Sequence, residues 1–279
     1  MKKIPLHFTL YTVLEDWKND PLGTLEKVKE MGYEGISIPG DYAGLTSGQL
    51  RKKADELGLS ICDMHIAFDD LCDRTEYYID QYKDLGANIV GIPWLDKNRL
   101  PGGADYASTR PKIMALAEKV NAAGLILVYH NHNFEFEKVN GECIFDLLFK
   151  DFPSELLKPQ IDTCWITVGG QNAVEYINKY SGRLPSLHLK DFVAKGEFLG
   201  ERLFQLLGKE DDPDVKKTRE ESGFDFRPVG YGQMDFKPIV EAASDADVSY
   251  LVVEQDTSHD RPAMEAAKMS IDFLRKIGV

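Results

Sequence analysis

The sequence predicts an α/β protein, a closed (β/α)8 barrel in a single domain over residues 1–279. Three observations carry that expectation. Short apolar runs alternate with stretches of helical period along the whole chain. Eight such pairs fit into 279 residues, and alternation at that spacing implies parallel strands that close on themselves. No GxGxxG turn follows the first strand, which disfavours the runner-up, an open doubly wound sheet.

The elements follow in a regular rhythm. Leu6–Tyr11 reads as a strand, and 22–31 as a helix stopped by Gly32. Gly35–Ile38 is a strand, and Ser47–Leu57 a helix ending at Gly58. Ser60–His65 is a strand, then Thr75–Leu85 a helix ending at Gly86. Residues 88–94 form a strand and 108–123 a helix ending at Gly124. In the second half, strands at 125–130, 159–162, 184–188 and 250–254 alternate with helices at 144–152, 173–180, 235–243 and 262–277. One segment, 192–227, is too long for an ordinary connection. It follows the seventh strand, so it rises from the face where barrel sites are built; it reads as a solvated insertion, a lid or an oligomer contact.

The formal charge is −13, spread along the chain, which argues against a nucleic-acid or membrane-surface partner. The four cysteines form no CxxC pair and read as reduced thiols. The N-terminal apolar run is short and interrupted by His7, Glu15 and Asp16, unlike a signal peptide or span, so a cytoplasmic location is expected.

Barrel enzymes place their chemistry where strands end. The expected strand ends carry Asp63 and His65, then Trp94, then His130, Asn131 and His132. Asp162 follows, then His188, Lys190 and Asp191, and finally Glu254, Gln255 and Asp256. A lone histidine at such a place is most simply a hydrogen-bonded structural residue. Four consecutive strands each ending in a ligand type is a stronger signal. His130, Asp162, His188 and Glu254 are expected to ring one divalent ion, Mn, Co, Zn, Fe or Mg; mixed nitrogen and oxygen donors suit the first four better than Ca. The competing reading is a buried polar network without metal.

The stretches GYEGIS (32–37), YHNHNFEF (129–136), QIDTCWITVGGQ (160–171), LHLKDF (187–192), PVGYGQMDF (228–236) and YLVVEQD (250–256) carry a resemblance. Through them the chain resembles the xylose-isomerase-like TIM barrels known as the sugar phosphate isomerase/epimerase family. The resemblance implies a divalent metal held by Glu, Asp, His and Glu from strands five to eight, with Asp162, His188 and Glu254 matching the last three. It places Trp94 and His65 along the sugar pocket. Two departures stand out. Relatives with epimerase activity often carry Glu where this chain has His130, and YHNH is similar to an inosose-dehydratase-like branch and to barrels acting on keto-glycosides. Many relatives also carry Glu in place of Ser37.

The expected reaction is proton removal next to a carbonyl of a polyhydroxylated ketone, giving an enediolate, with Glu254 as base. Reprotonation gives an isomerase or epimerase, the preferred reading, with His65, His132 or Lys190 as the second acid; these three, like Trp94, are also candidates for holding the substrate. Loss of a β-substituent gives a dehydratase or lyase acting on an inosose or 3-keto-glycoside. Two readings of other classes compete: an abasic-site endonuclease, disfavoured by the acidic charge, and a non-catalytic sugar-binding barrel. PVGYG reads as a turn, and GGQ is too short for a phosphate cradle. Exposed apolar residues in 192–227 make a homo-oligomer a possible assembly.

Overall fold

A computed structural model describes residues 2–195 and 223–279. Eight parallel strands close into a barrel in chain order: β1 Leu6–Thr9, β2 Gly35–Ile38, β3 Ser60–His65, β4 Ile89–Ile92, β5 Ile126–His130, β6 Lys158–Asp162, β7 Ser186–Leu189 and β8 Tyr250–Val253. Closure is made where β1 pairs with β8, Leu6 opposite Leu251 and Phe8 opposite Val253. The strands are buried on both faces, which is why they read as near-continuous apolar runs.

Helices start and stop where the sequence punctuates them. Asp20 accepts the amide of Gly23 at 3.0 Å, and Pro21 takes the first helical position of Pro21–Met31. Thr46 and Gln49 form a reciprocal capping box on Ser47–Leu57. That helix ends at Gly58, whose φ of +64° is costly for any residue with a Cβ. The helices lay Leu25, Val28, Leu50, Ile79, Leu116 and Ile271 against the barrel, forming one aliphatic and aromatic core.

Some boundaries differ from the expectation. β1 stops at Thr9 because the chain turns into a 3-10 segment, Leu10–Val13, with Thr9 Oγ1 accepting the Tyr11 amide. Three six-residue helices, Leu14–Asn19, Phe68–Asp73 and Thr163–Val168, fall in stretches expected to be loop. The last forms because Asp162 Oδ1 caps it through the Trp165 amide at 2.9 Å. The ends of the 192–227 insertion are tied together: Asp191–Val193 pairs antiparallel with Asp225–Arg227, Phe192 opposite Phe226. Its central part, 196–222, lies outside the described residues, and the lid and oligomer readings with it. No described helix is long and apolar enough to cross a membrane.

Candidate metal centre

The quartet assembles at the C-terminal rim. His130 ends β5, Asp162 ends β6, His188 lies in β7, and Glu254 follows β8 directly. Each offers one donor atom, and the four donors lie within 4.8 Å of one another. All four side chains are nearly inaccessible. Two contacts define the cluster: His188 Nδ1 to Glu254 Oε2 at 2.7 Å, and His130 Nε2 to Asp162 Oδ2 at 3.8 Å.

Neighbouring residues fix the quartet. Asn131 Oδ1 accepts the Asp162 amide at 3.0 Å, locking the end of β6 to the end of β5. Glu135 turns back and accepts the His132 amide at 2.9 Å and the Tyr129 hydroxyl at 2.6 Å. Tyr129 in turn accepts the Leu95 amide, tying the loop that carries Trp94 to β5. Glu135 is fully buried, and burial raises its carboxyl to about 7.

Beneath the quartet lies a polar layer. Gln160 donates from Nε2 to Asp63 Oδ2 at 2.6 Å and to Ser186 Oγ at 2.8 Å, while its Oε1 faces His65 Nε2 at 2.6 Å. Asp63 Oδ2 also stands 4.0 Å from His188 Nε2. Burial opposes the charge on Asp63, yet His188 and His65 outweigh it and hold the carboxyl well below the usual range. The β2–β3 register shifts between Ile36 and Ser37, so Ser37 stands opposite Asp63.

Lys190 sits against the other side of the quartet. Its Nζ is 3.1 Å from Asp162 Oδ2, 3.1 Å from Glu254 Oε2 and 3.0 Å from Asp256 Oδ2. Burial disfavours the ammonium, but Asp162, Asp256 and Glu254 together hold it protonated. Burial raises Asp256 to about 7 against the pull of Lys190. Burial would also raise Glu254, but Lys190 and His188 overcome it and keep that carboxylate ionised. For His188, burial is outweighed by Glu254 and Asp63, lifting the imidazole to about 9. Burial, reinforced by neighbouring imidazoles, keeps His130 neutral.

The donor set fits a divalent ion. Among the described residues buried Asp162 Oδ2 makes no hydrogen bond beyond its ion pair with Lys190 and its contact with His130; the unbonded ring atoms His130 Nδ1 and His188 Nε2 are not the ones that make the two defining contacts of the cluster. Buried polar atoms left without partners are costly unless something else satisfies them. Once His188 gives up its proton to ion binding, two imidazoles and two carboxylates are donors that Mn, Co, Zn or Fe accept.

The other candidates take distinct places. The ring of His65 stacks on that of His188 with centroids 5.4 Å apart, and burial lowers its basicity. His132 lies beyond the end of β5, parallel to the ring of Phe134 and 5.2 Å from the ring of His130; burial and then Lys190 hold it neutral. Trp94 follows β4 and is 46% exposed. Lys190 pairs with Asp256, whereas Asp191 is taken up elsewhere: its carboxylate accepts the amides of Phe192, Gly230, Gly232 and Met234. PVGYG is thus a turn anchored on Asp191. Sequence reasoning gave no role to Asp63, Gln160, Ser186 or Asp256. For Asp63, Gln160 and Ser186 the signal was parity, since each lies two residues before a named site residue and shares its side of the strand; Asp256 lies beyond its strand, where parity gives no signal.

The sequence model of the xylose isomerase-like TIM barrel family matches residues 25–277. An inosose dehydratase from Clostridium perfringens is 30% identical, the match covering 90% of this chain and 92% of that protein. Among solved structures, a sugar phosphate isomerase/epimerase from Parabacteroides distasonis superposes with a TM-score of 0.78 at 20% identity, covering 99% of this chain and 94% of that one. A probable 3-DHS dehydratase from Bacillus anthracis superposes at 0.74 with 12% identity, covering 98% and 99%. At those identities the two structures speak for the fold. The family match over almost the whole barrel speaks for descent: the chain belongs to the xylose isomerase-like TIM barrel family.

Proposed function

We propose that this protein is a divalent-metal enzyme that removes the proton beside the carbonyl of a polyhydroxylated ketone, working as a sugar isomerase or epimerase. The observation that carries the reading is the quartet His130, Asp162, His188 and Glu254, with four donors within 4.8 Å at the mouth of the barrel. A divalent cation held by these four residues would supply Lewis acidity toward the substrate carbonyl. Glu254 is ionised and is the base; its bond to His188 fixes the direction of its lone pairs. His65 and His132 are neutral imidazoles able to pass a proton, and with Trp94 they form the substrate side of the site. Lys190 acts through the carboxylates it holds. The substrate is a small-molecule sugar or keto-sugar, and four free cysteines suit a cytoplasmic protein.

A second reading, dehydration or lyase chemistry on an inosose or a 3-keto-glycoside, has its own support. The matched curated relative is named an inosose dehydratase. In this chain the β5 member of the quartet is a histidine held neutral, so one of the two carboxylates that would exchange protons on opposite faces is missing. Elimination needs one base and a donor to the leaving group, which Glu254 and a neutral histidine supply.

Elemental analysis of the purified protein, followed by incubation with ketoses, inososes and 3-keto-glycosides in D2O, tests both. Deuterium at the carbon beside the ketone with the carbon skeleton intact supports isomerase or epimerase action. Loss of water or of the glycosidic substituent supports the second reading. Binding without deuterium uptake or product rejects both in favour of a sugar-binding barrel.

A further inference from the structure

Lys190 is among the largest fully buried side chains of the protein. Two of its three carboxylate partners, Asp162 and Glu254, belong to the quartet; the third, Asp256, does not. The ammonium is walled by aromatic faces, 5.5 Å from the ring centre of Trp165 and 5.7 Å from that of Phe226. A positive charge so placed does part of the work of a metal ion. It neutralises two buried carboxylates that would otherwise repel one another in a medium of low polarity. Asp256 offers the same ammonium a seat on an oxygen that belongs to no metal ligand.

We infer that Lys190 is a resident counter-ion that competes with a divalent cation for Asp162 and Glu254, and that Asp256 is the positioning residue that retains the ammonium when the cation binds. The inference rests on the metal reading above. A dication and an ammonium cannot both draw fully on the same two oxygens, because their mutual repulsion is little screened inside the barrel. With Asp256 present, the ammonium keeps a bonded partner during the exchange. Without it, metal binding leaves a buried charge unpaired.

The test is calorimetric titration with Mn2+ alone, and thermal melts with and without Mn2+, on the wild-type protein, Lys190→Met and Asp256→Asn. Lys190→Met is expected to bind Mn2+ about tenfold or more tightly than wild type and to melt lower without metal, so Mn2+ raises its melting temperature by a larger increment. Asp256→Asn is expected to bind Mn2+ about tenfold or more weakly. A merely structural role would weaken both. Lys190→Met that folds and binds Mn2+ no more tightly than wild type overturns the inference, as does Asp256→Asn that binds no more weakly. If Lys190→Met folds only with Mn2+ present, the inference stands. If it folds under neither condition, Asp256→Asn decides alone. A wild-type protein that binds no divalent cation removes the metal reading itself, a different failure from either variant result.

Discussion

His188 Nδ1 lies 2.7 Å from Glu254 Oε2, an imidazole from β7 bonded to a carboxylate at the end of its neighbour β8. The parallel register places them side by side, since Val252 stands opposite His188 and Val253 opposite Leu189. The contact holds Glu254 in one orientation at the mouth of the barrel, which a base needs if it is to meet a single C–H bond.

Glu254→Gln keeps the shape of that side chain and removes its basicity. Turnover is expected to fall by about 10²–10⁴-fold, while some metal remains bound through His130, Asp162 and His188. Steady-state kinetics on a substrate found by the D2O screen, with metal content measured in parallel, checks it. Near-normal turnover rejects Glu254 as the base.

Loss of a quartet member should show in metal content before activity is assayed. His130→Ala and Asp162→Asn are each expected to weaken divalent-metal binding by more than about 100-fold. Elemental analysis after dialysis against a chelator, and the rise in melting temperature with Mn2+, measure this. Retention of metal by Asp162→Asn with loss in His130→Ala points instead to the second cluster of donors, His65, His130 and His188; retention by both variants rejects the quartet as the site.

His7 gives a pH dependence that comes from the fold. Burial lowers its imidazole from 6.5 to about 4, with Asp63 pulling the other way. The folded protein therefore binds this proton less readily than the unfolded chain. The stability His7 contributes is complete above pH 6.5, is lost as pH falls from 6.5 to about 4, and does not change further below that. The ceiling is about 3 kcal/mol. Urea unfolding of wild type and His7→Gln across that window checks it, the variant showing the flatter profile.

Asp191 holds the return of the chain after the insertion. Its carboxylate takes four backbone amides, and a Cβ at Gly232 would stand 2.2 Å from Asp191 Oδ1 and 2.4 Å from the Phe192 carbonyl oxygen. Asp191→Ala is expected to cost about 2–4 kcal/mol, because one buried amide and three partly buried ones lose their acceptor. Gly232→Ala should destabilise by a similar amount through the clash alone. Chemical denaturation measures both, and a loss below about 0.5 kcal/mol in each would show that the turn relaxes freely.

The barrel was legible because its punctuation is local. Gly32, Gly58, Gly86 and Gly124 each take positive φ after a helix, and an apolar strand starts within a few residues. The quartet was legible for the same reason: its members end strands that are neighbours in sequence order, and a closed parallel barrel keeps that order in space. Lys190 was only half legible. The sequence offered it substrate oxygens, Asp191 or another strand-end acid; Asp191 is taken up by backbone amides, and the acid that Lys190 meets beyond its quartet partners is Asp256. The Asp63–Gln160 contact was not legible, because it joins β3 to β6 across the interior. Only closure and register bring those side chains together. Asp162 as a helix cap was missed because nothing in QIDTCWITV announces a helix until the carboxylate turns to the Trp165 amide.

The antiparallel clasp of Asp191–Val193 on Asp225–Arg227 also bears on how such a barrel can diversify. Val193 faces Asp225 across a single rung, so the polypeptide departs and comes back through one doorway. Whatever is spliced in there begins and ends at points the scaffold already holds together. Doubling the length of a spliced segment adds only about 0.6 kcal/mol of closure entropy. Cassettes of very different size are therefore exchangeable at this doorway, leaving β7 and β8 on either side untouched.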